Sequence, residues 1–188
     1  MLNVTIAEAA QMLGRPLTAA ETAMALQIFV FLLLEDYGNY WIHRLFHHSF
    51  LYKHIHYKHH EYTSPMGAAA TYAHWAEVLV LGIPTLVGPA MVQCHVVTLW
   101  AWILLRQLEA IETHSGYDFP WSPTWLIPFY GGPRFHDYHH EVGGHSHCNF
   151  ASIFTICDWL YGTDKGYYAK VAAEEKMKTP LGAFTRLV

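Results

Sequence analysis

One pattern constrains this chain more than any other: His43-Arg-Leu-Phe-His47, then His56-Tyr-Lys-His59-His60, then His136-Asp-Tyr-His139-His140. On an α-helix residues i, i+3 and i+4 share a face, so His56, His59 and His60 are expected to point together. The same holds for His136, His139 and His140, and for His43 with His47. With 15 His in 188 residues, the HxxxH spacing arises by chance about once, but HxxHH only roughly 0.1 times, and it stands here twice. A lone buried histidine is usually a satisfied core residue; three spaced clusters point to metal. They supply more imidazoles than one structural zinc uses, so two ions are expected. Imidazole suits zinc, copper, iron and nickel, so ligand type does not choose among them. Asp36, Glu112 and Asp137 are candidates to accept the second ring N–H of a ligand and fix its tautomer. Asp36 lies two helical turns before His43 on the same face, whereas Glu61 and Glu141 read as surface charge.

Composition says where such a site sits. Apolar residues make up 53% and charged ones 14%, against roughly a quarter charged in soluble domains, which implies a lipid bilayer as partner. Net charge is −4, with 11 Lys+Arg against 15 Asp+Glu, so nucleic acid is excluded as an expected partner. Cys94, Cys148 and Cys157 form no CxxC pair, which argues against a disulfide framework or a zinc knuckle and for a reducing, cytosol-like compartment. No signal peptide is legible, and Asn3-Val-Thr5 matches a glycosylation acceptor only at the level chance supplies. There is no Walker loop, GxGxxG or GxSxG, so any electrons must arrive from a partner protein.

Taken in order, the chain reads as one domain over 1–188, with a core at about 23–166 and a solvated tail at 167–188. Thr18-Ala-Ala-Glu21 is a capping box opening a long helix from about 19 to 47, roughly 40 Å, long enough to cross a bilayer and carry His43 and His47 past it. Arg44, Lys53 and Lys58 supply a cytoplasmic cation bias, and Thr63-Ser-Pro65-Met-Gly67 is a loop. Val78–Val92, broken by Gly82, Pro84, Gly88 and Pro89, and Val96–Leu105 are each short for a span. They are expected to enter and return as a helical hairpin, because both HxxHH clusters must lie on one side. A helix from Gln107 then brings Glu109, Glu112 and His114 near the site. The stretch 117–133 is an aromatic cap, and Tyr117, Phe119, Trp121 and Trp125 are expected to wall a cavity for a bulky apolar substrate. Phe150–Gly162 reads as an amphipathic interfacial helix, and residues from Lys165 as a solvated one. The expected fold class is all-α: an integral membrane helical bundle with a histidine-rich cytosolic di-metal cap.

The chain resembles the membrane-bound fatty acid hydroxylase superfamily, whose pattern is HxxxH, HxxHH and a later HxxHH, and within it the sterol C-4 methyl oxidases. The likeness spans about 32–166. It includes Glu35-Asp36, Tyr40-Trp-Ile-His43-Arg44, Leu51-Tyr-Lys53, His59-His-Glu61, Tyr72-Ala-His74, Leu108-Glu109, Glu112-Thr-His-Ser-Gly-Tyr117, Phe135-His-Asp-Tyr-His-His140 and Tyr161-Gly-Thr-Asp164. The resemblance implies a non-haem di-iron centre, O2 as co-substrate, and stepwise oxidation of a C-4 methyl of a sterol precursor. It also implies electrons from NAD(P)H through cytochrome b5 and its reductase, multi-pass residence in the endoplasmic reticulum membrane with the site facing the cytosol, and other sterol C-4 demethylation enzymes as partners. It adds His114 to the ligands, and makes His74 an extra ligand or a positioning residue. The family carries further N-terminal membrane segments, so a short isoform or fragment with weaker anchoring is expected. Near Asn149 the family tends to have Gly where Cys148 stands; His145 and His147 are expected not to be ligands. The physical logic agrees, since hydroxylating an unactivated C–H needs a redox-active metal with O2, which closed-shell zinc cannot replace. Hydroxylation of a fatty acyl or sphingoid chain is the rival chemistry, and a non-catalytic histidine-rich metal-binding membrane protein the rival class.

Overall fold

A computed structural model describes residues 14, 16–63, 66–143 and 147–178. Asn3-Val-Thr5, His145 and the tail beyond 178 lie outside the described residues. Among the described residues there is no strand, only one isolated bridge between Tyr130 and Phe154; the chain is all-helical, as expected.

Helix α1 runs Ala19–Phe46 and starts at the expected capping box: Glu21 N–H donates to Thr18 Oγ1 at 3.3 Å and Thr18 N–H to Glu21 Oε2 at 2.8 Å. A short α2 (Ser49–His54) leads to a 3-10 helix, His56–Glu61, and a second 3-10 turn covers Gly67–Thr71. Helices α3 (Trp75–Val92) and α4 (Val96–Thr113) form the expected hairpin, with Gln93 in the left-handed region at the bend. Short α5 (Pro123–Leu126), α6 (Gly132–Val142), α7 (Ile156–Tyr161) and α8 (Lys165–Lys178) complete the chain.

Two expected helices come out differently. His56, His59 and His60 lie on a 3-10 turn rather than an α-helix. Residues 147–155 are a loop, so the helix expected from Phe150 begins only at Ile156. Asn149, with φ of +54°, breaks the helical path there; its side chain instead donates to Phe135 O at 2.8 Å.

The α1–α3 contact depends on glycine. A Cβ on Gly88 would lie 2.5 Å from Phe31 Cδ1, and one on Gly38 would lie 2.9 Å from Pro84 Cβ, so only glycine allows the helices this approach. Pro89 has no N–H to give Thr85 O, four residues back. Trp102 Nε1–H takes its place at 2.8 Å, tying α4 to α3, while its ring packs edge-on against Phe31 at 5.8 Å.

The usual distribution of polarity is inverted. Glu35, Asp36, Asn39, Glu77 and the clustered histidines are buried, while Leu26, Phe29, Leu33, Leu79, Ile83, Leu86, Met91, Val97, Trp100 and Leu104 are exposed along α1, α3 and α4. Among the described residues one helix, Trp75–Val92, is long and apolar enough to cross a membrane. Helix α1 has the length expected of a span, but its apolar run gives way to Glu35 and Asp36.

Candidate metal centre

All the clustered histidines converge, but not cluster by cluster. His43, His47, His56, His60 and His139 form one group, and His59, His114, His136 and His140 a second, with potential ligand atoms within 4.8 Å of one another in each. Each HxxHH motif is thus divided: its first and last histidines join one group and its middle one the other. The expectation that i, i+3 and i+4 aim at one point is corrected. Positions i+3 and i+4 are about 100° apart around a helix axis, enough to address two neighbouring points.

The hydrogen bonds fix which nitrogen faces inward. Nδ1 of His43 lies 3.0 Å from Phe150 O, His59 3.3 Å from Tyr72 O, and His114 2.8 Å from Ala110 O. His139 Nδ1 is 2.7 Å from Cys148 O, and His140 Nδ1 3.1 Å from Tyr62 O. A carbonyl only accepts, so each Nδ1 carries the proton and each Nε2 is a bare lone pair. Burial holds these rings neutral, pushing His59 down to about 4 and His114 to about 3; burial and neighbouring rings lower His60 and His140 further.

The lone pairs face one another. In the first group Nε2–Nε2 separations are 3.0 Å for His47–His56, 3.1 Å for His56–His60 and 3.2 Å for His60–His139. In the second they are 3.3 Å for His59–His114, 2.9 Å for His114–His136 and 3.1 Å for His136–His140. Lone pairs aimed at each other repel unless a cation lies between them. Imidazole nitrogens about 2.1 Å from one ion and at right angles are about 3 Å apart, so the spacing fits one ion per group.

The carboxylate that touches a ligand ring is one the sequence reading passed over. Glu77, in the first turn of α3, accepts from His56 Nδ1 at 2.8 Å and is buried. It is the only acid between Tyr62 and Leu108, and an isolated acid opening an apolar helix was the available signal. Among the described residues, Asp36, Glu112 and Asp137 make no hydrogen bond to a clustered histidine ring. Asp36 Oδ1 accepts the backbone N–H groups of Ile153 and Phe154, each at 2.9 Å. Glu112 accepts from Ser122 Oγ at 2.6 Å and Tyr130 OH at 3.1 Å, anchoring the aromatic segment. Asp137 keeps a buried Oδ1 without a hydrogen-bond partner among the described residues; burial raises its pKa to about 6. Asp36 acts one step removed, with Asp158, which accepts from Phe150 N–H and Ala151 N–H at 2.9 and 2.7 Å. Together they hold the loop whose carbonyls orient His43 and His139.

His74 belongs to neither group. Its Nδ1 accepts from Ala76 N–H at 3.2 Å as the cap of α3, one turn before Glu77. His147 is exposed and also outside both groups. Glu61 accepts from Tyr72 OH and Glu141 pairs with Lys170.

A cavity of about 370 Å³ opens onto the centre between α1, α3 and α4, reaching His43 and His56 of one group and His59, His114 and His136 of the other. Tyr117, Phe119, Trp121 and Trp125 are not on its wall. Phe119 stacks on Trp121 at 4.6 Å, and Tyr117, Trp121 and Trp125 are exposed. The cavity is instead lined by small residues of the second 3-10 turn and the segment after it (Ala70, Ala73) and of α3 (Gly82), which leave room.

The fatty acid hydroxylase family profile matches residues 28–163. Methylsterol monooxygenase 1-1 of Arabidopsis thaliana is 62% identical over 165 residues, 88% of this chain and 55% of that protein. Methylsterol monooxygenase 1-2 of the same plant is 58% identical over 175 residues, 93% of this chain and 58% of its own length. Very-long-chain aldehyde decarbonylase GL1-10 of Oryza sativa subsp. japonica is 63% identical over 155 residues, 82% of this chain and 52% of its own. The chain thus spans about half the length of the curated relatives it matches, and no solved structure matches it. By a profile that covers most of its length, including every histidine of both groups, this chain belongs to the fatty acid hydroxylase family.

Proposed function

We propose that the chain is the metal-holding part of a methylsterol monooxygenase, an O2-dependent oxidoreductase acting on the C-4 methyl of sterol precursors. The observation that carries this reading is the pair of inward-facing Nε2 groups at the mouth of a cavity between the long helices. His43, His47, His56, His60 and His139 would hold one iron, and His59, His114, His136 and His140 the other. Iron with O2 supplies the oxidising power that an unactivated C–H demands. The protein's own contribution is orientation and dryness. Backbone carbonyls and Glu77 lock the tautomers of six of the nine rings, and burial keeps water from the rings.

The remaining parts of the reading rest on the family. Residues 23–166 form a single domain. Electrons come from NAD(P)H through cytochrome b5 and its reductase, since no nucleotide motif is present in the sequence. Exposed apolar residues on α1, α3 and α4 face lipid, in a multi-pass arrangement in the endoplasmic reticulum with the histidines toward the cytosol. A long-chain aldehyde or acyl substrate is the second reading, favoured by the name of the rice relative.

The test is to express the chain in cells lacking C-4 methyl oxidase and to analyse products from 4-methylsterols and from long-chain aldehydes. Conversion of the sterol, abolished by His139→Ala, supports the first reading. Turnover of aldehydes alone supports the second, and bound iron with no turnover of either leaves a metal-binding protein.

A further inference from the structure

The cavity beside the metal centre is mostly apolar, but one side of it carries polar side chains. Glu35, Asn39 and His43 stand at successive turns of one face of α1, and all three line the cavity. Asn39 Nδ2–H donates to Glu35 Oε1 at 2.5 Å, and the same oxygen accepts from Arg106 Nε–H at 2.9 Å. These contacts orient the amide and leave two acceptors, Asn39 Oδ1 and Glu35 Oε2, without a hydrogen-bond partner among the described residues. Both residues are deeply buried, 7% and 1% exposed, where an unpaired acceptor is destabilising. Among the described residues Arg106 reaches neither of these two atoms: its Nε and Nη2 both lie 2.9 Å from Glu35 Oε1, Nη2 also donates to Ser152 Oγ, and Nη1 is engaged by Glu109. Two carboxylates against one guanidinium make the wall unwelcoming to an anion and suited to a neutral hydrogen-bond donor.

We propose that Asn39 and Glu35 accept a hydrogen bond from the hydroxyl on the ring carbon next to the one oxidised, so that this wall reads the C-3 hydroxyl of a 4-methylsterol. The inference rests on the sterol reading above and names the group by which that substrate is held. A sterol by definition carries this hydroxyl at C-3, beside C-4. Asn39 is one helical turn from His43, about 6 Å along the axis, so gripping the hydroxyl there turns the neighbouring methyl toward the histidines. A long-chain aldehyde has no donor to offer the same two oxygens.

The experiment measures equilibrium binding to the full chain, loaded with iron in phospholipid nanodiscs, of a 4,4-dimethyl-3-hydroxysterol, its 3-O-methyl ether and a long-chain aldehyde. The wild-type protein is expected to prefer the hydroxysterol about 10-fold or more, the effect of removing a donor from a buried acceptor. Asn39→Leu is expected to bring the ratio close to one by weakening the hydroxysterol alone, with iron content unchanged. Equal affinity of the wild-type protein for the two sterols overturns the proposal without touching the sterol reading, and needs no variant to fold. Retention of the preference in Asn39→Leu overturns the role of Asn39. Binding of the aldehyde but of neither sterol takes down the substrate reading itself.

Discussion

At the scale of single residues, six of the nine clustered rings (His43, His56, His59, His114, His139 and His140) are set by an acceptor behind Nδ1. Among these six, Glu77 is the one acceptor that is a side chain, at 2.8 Å from His56. Removing such a partner typically weakens metal affinity 10–100-fold. Glu77→Ala is therefore expected to lose iron about 10–100-fold more readily in competition with a chelator, while Glu112→Ala, whose contacts are Ser122 and Tyr130, keeps wild-type affinity. The two groups are also separable. His139→Ala removes a ligand from the first group and His114→Ala one from the second, so each is expected to bind about one ion fewer per chain, measured by elemental analysis. His74→Ala should leave iron content unchanged and cost about 1 kcal/mol of helix stability as a lost cap. Eight of the clustered histidines were legible from spacing, because i, i+3 and i+4 are a local property of the chain, whereas His114 was legible only through the family resemblance. Their division into two groups was not, because it depends on how four distant segments face each other.

At the scale of elements, the hairpin against α1 shapes the cavity, and its close approach is permitted by missing side chains. Gly88 meets Phe31 and Gly38 meets Pro84, whereas Gly82 has nothing within 4 Å of a Cβ position. Gly88→Val is expected to destabilise the protein by about 1–3 kcal/mol through overpacking. Gly82→Ala is expected to be neutral or to stabilise by up to about 1 kcal/mol, since alanine is the better helix former; unfolding in detergent with denaturant distinguishes them. The capping box and the long first helix follow from local signals at Thr18 and Glu21, and the hairpin from the need for both HxxHH clusters to lie on one side. The sequence suggests a helix from Phe150, yet residues 150–155 are a loop, because the carboxylates that hold it open, Asp36 and Asp158, act through the folded backbone. Asp36 lies more than a hundred residues away.

At the scale of the whole molecule, the interior is more polar than the surface of the long helices. The buried hydrophobic cluster is small, formed by Tyr40, Phe150 and Cys157, while the histidine lone pairs at its side repel one another. Such a centre is expected to depend on its metal, since an ion that binds only the folded state stabilises it by about 4 kcal/mol at a thousandfold excess over Kd. Stripping the metal with a chelator should lower Tm by about 10 °C at this chain length, restored by adding iron back; an unchanged melting curve would show that packing alone holds the histidines together. The helical class and the three histidine clusters were determined by the sequence itself, because metal-ligand chemistry and 3.6-residue periodicity are written in residue type and spacing. The tertiary structure alone decided which rings are grouped together, that Glu77 rather than Asp36 lies behind a clustered histidine, and that α1, α3 and α4 rather than the loop aromatics line the cavity. Those outcomes are relations between side chains far apart along the chain, fixed only when glycine contacts bring the helices within reach.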